Sequence, residues 1–260
     1  MSTEYTREIF ALDGKTAIVT GATGGLGLAL ALALAKAGAA IVSIELPDDP
    51  LSSVLKQALE HVPVPFDTFL CDLGDSARLR DCYRRIWDAG IVPDILVNCA
   101  GVVRRSPCED TSDEDIDLVL NVNVKACYVS TQEFGRRLIC LGRPGKIINI
   151  SSVTSFQAGF NTSIYSTSKG AVMQMTKAFS NEWASKGIQV NSISPGFMDT
   201  TMTAGYQDDP EMIRYLMSRV PMQRFGNPDD LQSAVLFLAS PANCFVSGIT
   251  LPVDGGFLGK

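Results

Sequence analysis

Tyr165 and Lys169 stand four positions apart in a stretch of helical pattern, so their side chains share one face. A free phenol ionises near pH ~10 and is a poor base at neutrality. An ammonium one helical turn away favours the phenolate and turns the tyrosine into a usable acid/base. Ser152 lies thirteen residues before Tyr165, just past a β-rich run. A hydroxyl there can hydrogen-bond a reacting oxygen and stabilise charge that develops on it. The three side chains together suit proton transfer to or from an alcohol oxygen. His61 is the single histidine, which argues against a histidine-held zinc and against a Ser-His-Asp triad.

A second constellation suits a nucleotide. Thr20-Gly21-Ala22-Thr23-Gly24-Gly25-Leu26-Gly27 follows an apolar run and opens a helical stretch. Glycines in that position let backbone approach a diphosphate seated on a helix N-terminus. Glu45 ends the second strand, eighteen positions after Gly27, where a carboxylate can accept from both ribose hydroxyls. The same carboxylate repels a 2′-phosphate, and no Arg or Lys follows in the turn, so NAD is expected rather than NADP. Asp72-Leu73, after the third strand, can meet the adenine amino group.

These residues must be brought to one place, and the elements that do so are legible. Strands are expected over 15–20, 40–45, 66–71, 94–98, 146–150, 189–193 and 249–253. Helices are expected over 25–37, 51–61, 76–89, 113–141, 164–186 and 229–239. Strand-helix alternation with continuous apolar strands gives an α/β, three-layer Rossmann-type doubly wound parallel sheet in one domain. Ligands bind such a sheet beyond the carboxyl ends of its strands. Asn98-Cys99-Ala100-Gly101, Ser152 and Pro195-Gly196 all fall at such ends, and Asn123 lies in the long helix before the fifth strand. A helix cap, a turn or a buried amide would account for each of them singly; their convergence on one rim points to a site.

Bulk composition agrees. Hydrophobic residues are 46% and charged residues 19%, a globular balance, and Gly27, Lys36 and Gly38 interrupt the longest apolar stretch, so no membrane span is expected. A net charge of −6 disfavours nucleic-acid and anionic-membrane partners. Seven scattered cysteines without a C-x-x-C pair, and no secretory signal at the start, point to reduced thiols and a cytoplasmic location. No metal is expected.

From Leu12-Asp13-Gly14-Lys15 to Val253-Asp254-Gly255-Gly256 the sequence resembles the short-chain dehydrogenase/reductase family in its single-domain form. The resemblance implies a catalytic set of Asn123, Ser152, Tyr165 and Lys169. It implies dinucleotide contacts from Gly21, Thr23, Gly25, Leu26, Gly27, Glu45, Asp72, Leu73, Asn98, Ala100, Gly101, Tyr165, Lys169, Pro195, Gly196, Met198 and Thr200. Cys99 replaces the usual second asparagine of Asn-Asn-Ala-Gly. It further implies that Asn123 bends its helix and holds a water, that residues 198–225 cover the substrate as a lid, and that the chain forms a homotetramer.

Val102-Val103-Arg104-Arg105, Ser155-Phe156-Gln157-Ala158-Gly159 and Asn181-Glu182-Trp183-Ala184 resemble the branch that oxidises deoxy-sugar acids. Arg104 could hold a substrate carboxylate, with Ser152 and Gln157 as further contacts, or both arginines could be solvated or join a subunit contact. Two other readings stay open: a reductase of a less polar ketone, and a catalytically silent nucleotide sensor.

Overall fold

The computed structural model describes residues 2–49, 51–207 and 209–260. Seven strands, β1 (Thr16–Thr20), β2 (Ala40–Glu45), β3 (Phe66–Leu70), β4 (Ile95–Asn98), β5 (Gly145–Ile150), β6 (Ile188–Pro195) and β7 (Thr250–Val253), form one sheet. Their order is β3-β2-β1-β4-β5-β6-β7 and every pair is parallel. The order reverses direction beside β1, so the loops after β1 and β4 part there and open a crevice.

Helices cover both faces, which is why the strands read as unbroken apolar runs. Ala17, Val19, Ile41, Ile95, Val97 and Ile148 pack towards α2 (Gly25–Lys36), α3 (Ser52–Leu59) and α10 (Gln232–Ala239). Alternate residues, Ile18, Val42, Leu96, Ile147 and Val190, pack towards α4 (Ser76–Asp88), α6 (Cys127–Leu141) and α7 (Ser163–Trp183). Within α7, Val172 and Met175 are buried in this second core, so they are not surface available to another subunit. Among the described residues no helix is long and apolar enough to cross a membrane.

The structure departs from the sequence expectation in three places. The helix expected over 113–141 is α5 (Asp113–Leu120), a π-helical turn at Asn121–Ala126, and then α6. The wide turn coincides with a buried asparagine, Asn123, whose amide bonds outside its own helix. Residues 2–10 form a further helix, α1 (Ser2–Phe10), held where the Ser240 hydroxyl donates to the Ile9 carbonyl. Residues 198–225 are not merely loop: they contain α8 (Ala204–Gln207) and α9 (Pro210–Arg219). The start of α9 is written locally. The Asp209 carboxylate accepts from Glu211 N and Met212 N at 2.9 and 3.1 Å, and Pro210 fills the first helical position.

Candidate active site

A cleft of about 1440 Å³ runs across the carboxyl ends of the strands. One end is built by the turn from β1 into α2. Thr20, the last residue of β1, accepts from Cys99 N and Ala100 N through Oγ1, both at 3.1 Å, and so ties the loop after β4 to the first turn. A Cβ on Gly21 (φ +68°) would lie 2.9 Å from the Cα of Ala100, and one on Gly27 would lie 2.0 Å from the Gly21 carbonyl oxygen. Only glycine allows these two crossings. The N-cap of α2 is Gly24, which has no side chain to satisfy the first-turn N–H groups. Orphan donors in a side-chain-free cradle at a twelve-residue helix fit a diphosphate.

Beyond the cradle the cleft is acidic. Glu45 is 2% exposed and accepts the Ser43 hydroxyl at 2.6 Å. Burial pushes its carboxyl above the ordinary range, the Ser43 hydrogen bond opposes this, and the charge of Asp49 adds to it. Asp49 in turn accepts the Thr23 hydroxyl at 2.7 Å. Asp72 uses Oδ1 to cap its own turn at Gly74 N (2.9 Å) and lines the cleft beside Leu73.

The other end carries the groups able to move a proton. Ser152 accepts Thr154 N through Oγ at 3.1 Å as cap of a short 3-10 turn, which leaves its hydroxyl proton to donate elsewhere. Tyr165 sits in the first turn of α7 and lines the cleft. Lys169 follows one turn later, buried, with Nζ 5.7 Å from the Tyr165 ring centre and donating to the Ile150 carbonyl at 2.7 Å. Burial lowers its pKa from the ordinary lysine value. Behind them Asn123, 2% exposed, donates to Val102 O (2.9 Å) and Ser168 Oγ (3.0 Å) and accepts Val102 N (2.8 Å). Ser168 hands its own proton to the Tyr165 carbonyl at 2.7 Å, so the π turn, the loop after β4 and α7 form one braced unit.

The cleft thus gathers Gly21, Thr23, Gly25, Leu26, Gly27, Glu45, Asp72, Leu73, Ala100, Gly101, Ser152, Gln157, Tyr165, Lys169, Pro195, Gly196, Met198 and Thr200. Three expected residues stand apart from its wall. Asn98 turns its amide into the core, donating to Asn149 Oδ1 (2.8 Å) and Thr131 Oγ1 (3.1 Å), so its side chain braces β4 against β5 and α6. Asn123 acts from behind, as described. Arg104 points away from the cleft, with Nε donating to the Asp115 carboxylate at 2.9 Å and Nη1 to the Val103 carbonyl at 3.0 Å. Its neighbour Arg105 lines the cleft instead and donates to the Met202 carbonyl at 2.8 Å.

Sequence reasoning did not single out Arg219, Phe160 or Phe257, which also line the cleft. The Asp-Pro-Glu start of α9 was a usable signal for the helix. Nothing local announces that its last residue turns to the cleft. The segment's ends close on each other through a parallel bridge, Met198 to Gly226.

A family model described as enoyl-(acyl carrier protein) reductase matches residues 21–258. The 2-dehydro-3-deoxy-D-gluconate 5-dehydrogenase of Bacillus subtilis (strain 168) is 40% identical over 256 residues, covering 98% of this chain and 99% of the relative. The enzyme of the same name from Escherichia coli (strain K12) is 39% identical over 255 residues, covering 96% and 98%. The structure of a gluconate 5-dehydrogenase from Burkholderia cenocepacia J2315, in complex with NADP and tartrate, superposes with a TM-score of 0.93 at 36% identity, over 98% of this chain and 99% of that one.

Proposed function

The chain belongs to the short-chain dehydrogenase/reductase family, and on that basis we propose that it interconverts a secondary alcohol and a ketone of a deoxy-sugar acid with a nicotinamide dinucleotide. The observation that carries this reading is the shared cleft. The glycine cradle, Ser152, Tyr165 and Lys169 line one continuous wall, and the relatives named for a deoxy-gluconate match over nearly their whole length.

A dinucleotide held by the glycine cradle, Glu45 and Lys169 would supply the hydride acceptor for oxidation and the donor for reduction. The chain's own residues handle the proton and the charge. Tyr165, as phenolate, takes the proton of the substrate hydroxyl and gives it back in the reverse direction. Ser152, whose Oγ accepts Thr154 N and keeps its own proton to give, donates to the reacting oxygen and stabilises charge there. Lys169, buried beside the tyrosine ring, stabilises the phenolate and can also donate to a ribose hydroxyl. Asn123 keeps Val102 and Ser168 in register, and residues 198–225 serve as the substrate lid.

NAD is the expected dinucleotide. Glu45 and Asp49 line the dinucleotide end of the cleft, where a 2′-phosphate would meet like charge, and the loop after β2 offers no cation. A like-charge contact near a protein surface costs on the order of 1–4 kcal/mol. The Burkholderia neighbour carries NADP, so the two dinucleotides need direct comparison. Calorimetric titration should give NAD at least roughly fivefold tighter binding than NADP, the lower bound of that penalty. Equal affinities, or the reverse order, would overturn the preference.

Steady-state turnover with a panel of deoxy-sugar acids, neutral polyols and apolar ketones tests the substrate class. Sugar acids should lead. The wide apolar wall, with Phe160 at 87% exposure beside Met202, Met212 and Tyr215, supports a second reading as reductase of a less polar ketone. Preference for such a ketone would favour it. We further infer a cytoplasmic homotetramer, supported by seven free thiols and by Tyr128, 47% exposed on α6 and tilted against the Phe179 ring of α7 at 4.9 Å. Sedimentation as a monomer would exclude the tetramer.

A further inference from the structure

We propose that Arg219, the last residue of α9, recognises the substrate carboxylate, with Gln157 and Phe257 as its positioning residues. This inference rests on the sugar-acid reading above and assigns the part of the cleft that makes it specific.

Apart from Lys169 beside the tyrosine, the charged groups of the cleft wall fall into two sets. Glu45, Asp49 and Asp72 surround the dinucleotide end, whereas Arg105 and Arg219 face the end beyond Tyr165, with Asp199 at the root of the lid segment. Of the arginines near that end, Arg104 is paired with Asp115 and Arg105 is bonded to the Met202 carbonyl. Arg219 is held differently. Its Nη2 donates to Gln157 Oε1 at 2.6 Å, its Nη1 reaches the Tyr215 hydroxyl at 3.5 Å, and its guanidinium lies 4.4 Å from the centre of the Phe257 ring. Among the described residues no carboxylate pairs with it. A half-buried guanidinium offers five N–H donors in a fixed plane, and only part of that set is used here.

The manner of holding matters. An acidic tether would orient Arg219 and neutralise it together. Gln157 and the Phe257 face fix the plane of the guanidinium with an amide oxygen and a ring, and leave its charge for an anion. Gln157 stands five residues after Ser152, and its own N–H donates to Val153 O at 3.1 Å. The guanidinium is therefore anchored to the same loop that carries the serine. An acid whose hydroxyl reaches Ser152 and Tyr165 would find its carboxylate receptor on the lid helix, so that binding draws α9 towards the loop after β5.

The test measures kcat and KM for a sugar acid and for its uncharged amide, with dinucleotide affinity as a check on folding. Arg219→Met should lower the acid-over-amide preference in kcat/KM by roughly 10- to 100-fold, the range for loss of a charge-assisted bidentate pair. Most of the change should fall on KM for the acid. Arg219→Lys should recover part of it, because the charge returns without the planar fork. Gln157→Leu should weaken the preference less than Arg219→Met does. If Arg219 only latches α9, both substrates fall together and the preference ratio stays constant; that result overturns the proposal. Should the unmodified enzyme turn over no sugar acid at all, the functional reading fails and takes this one with it. Should it prefer the acid and keep that preference in both Arg219 variants, only the assignment of Arg219 fails.

Discussion

Asn123 and Val102 are joined by two opposed hydrogen bonds, side-chain amide to carbonyl at 2.9 Å and backbone N–H to side-chain oxygen at 2.8 Å. The pair stitches a π-helical turn to the loop after β4, and a third bond to Ser168 extends it to α7. Asn123→Ala removes all three partners from a buried position. Each buried group left unpaired costs ~1–3 kcal/mol, so the melting temperature should fall by several degrees. Activity should fall with it, because the brace ends at the Tyr165 carbonyl. An unchanged melting curve by calorimetry would refute the bracing role.

Tyr165→Phe keeps the ring and removes the proton carrier. Turnover should drop by roughly 10²–10⁴, the usual contribution of a positioned acid/base, while the dinucleotide still binds. Retained turnover would mean that another group moves the proton.

The raised pKa of Glu45 sets a pH dependence of stability. Its folded carboxyl holds a proton to higher pH than the ordinary 4.5, so ionised Glu45 costs stability at neutrality. The cost diminishes as pH falls through the raised folded value, and it is absent below 4.5, where folded and unfolded chains are both protonated. Glu45→Gln should therefore melt higher than the natural protein at pH 7, with the gap closing in acid. The same substitution should narrow the NAD-over-NADP margin. A melting difference that persists unchanged at low pH would contradict burial as its cause.

Arg104→Ala should do little. Its partner Asp115 is on the surface, with side chains 42% and 36% exposed, and such pairs contribute on the order of 0.2–1 kcal/mol. The KM for a sugar acid should stay close to that of the natural protein. A large rise would restore Arg104 as the carboxylate contact and displace Arg219.

The contrast between those two arginines marks where the sequence stops being informative. Strand positions followed from runs such as Ala17-Ile18-Val19 because both faces of the sheet are covered, and the site's place followed from the strand ends. Tyr165 and Lys169 were legible because helical spacing is local. Asn98 and Arg104 sit in the expected loops, but the direction of each side chain is set by tertiary partners, Asn149 and Thr131 for the first and Asp115 for the second, that no local pattern announces. Arg219 was invisible for the same reason: its neighbours Gln157 and Phe257 are supplied by another loop and by the last turn of the chain. Periodicity alone reads residues 113–141 as an uninterrupted helix, and only the family resemblance places a bend at Asn123, where the π turn lies.

The position of β1 has a consequence for how the molecule is made. It is the first strand in the chain, yet one of its flanks is closed by β4, with Ala17 opposite Ile95. During synthesis this strand waits, its second row of amides unpaired, until that partner has emerged. Parallel pairings of such long separation are slow and leave an edge on which other chains can add. A fragment ending before Ile95 should therefore aggregate rather than fold, and refolding yield should depend more on protein concentration than on the presence of substrate.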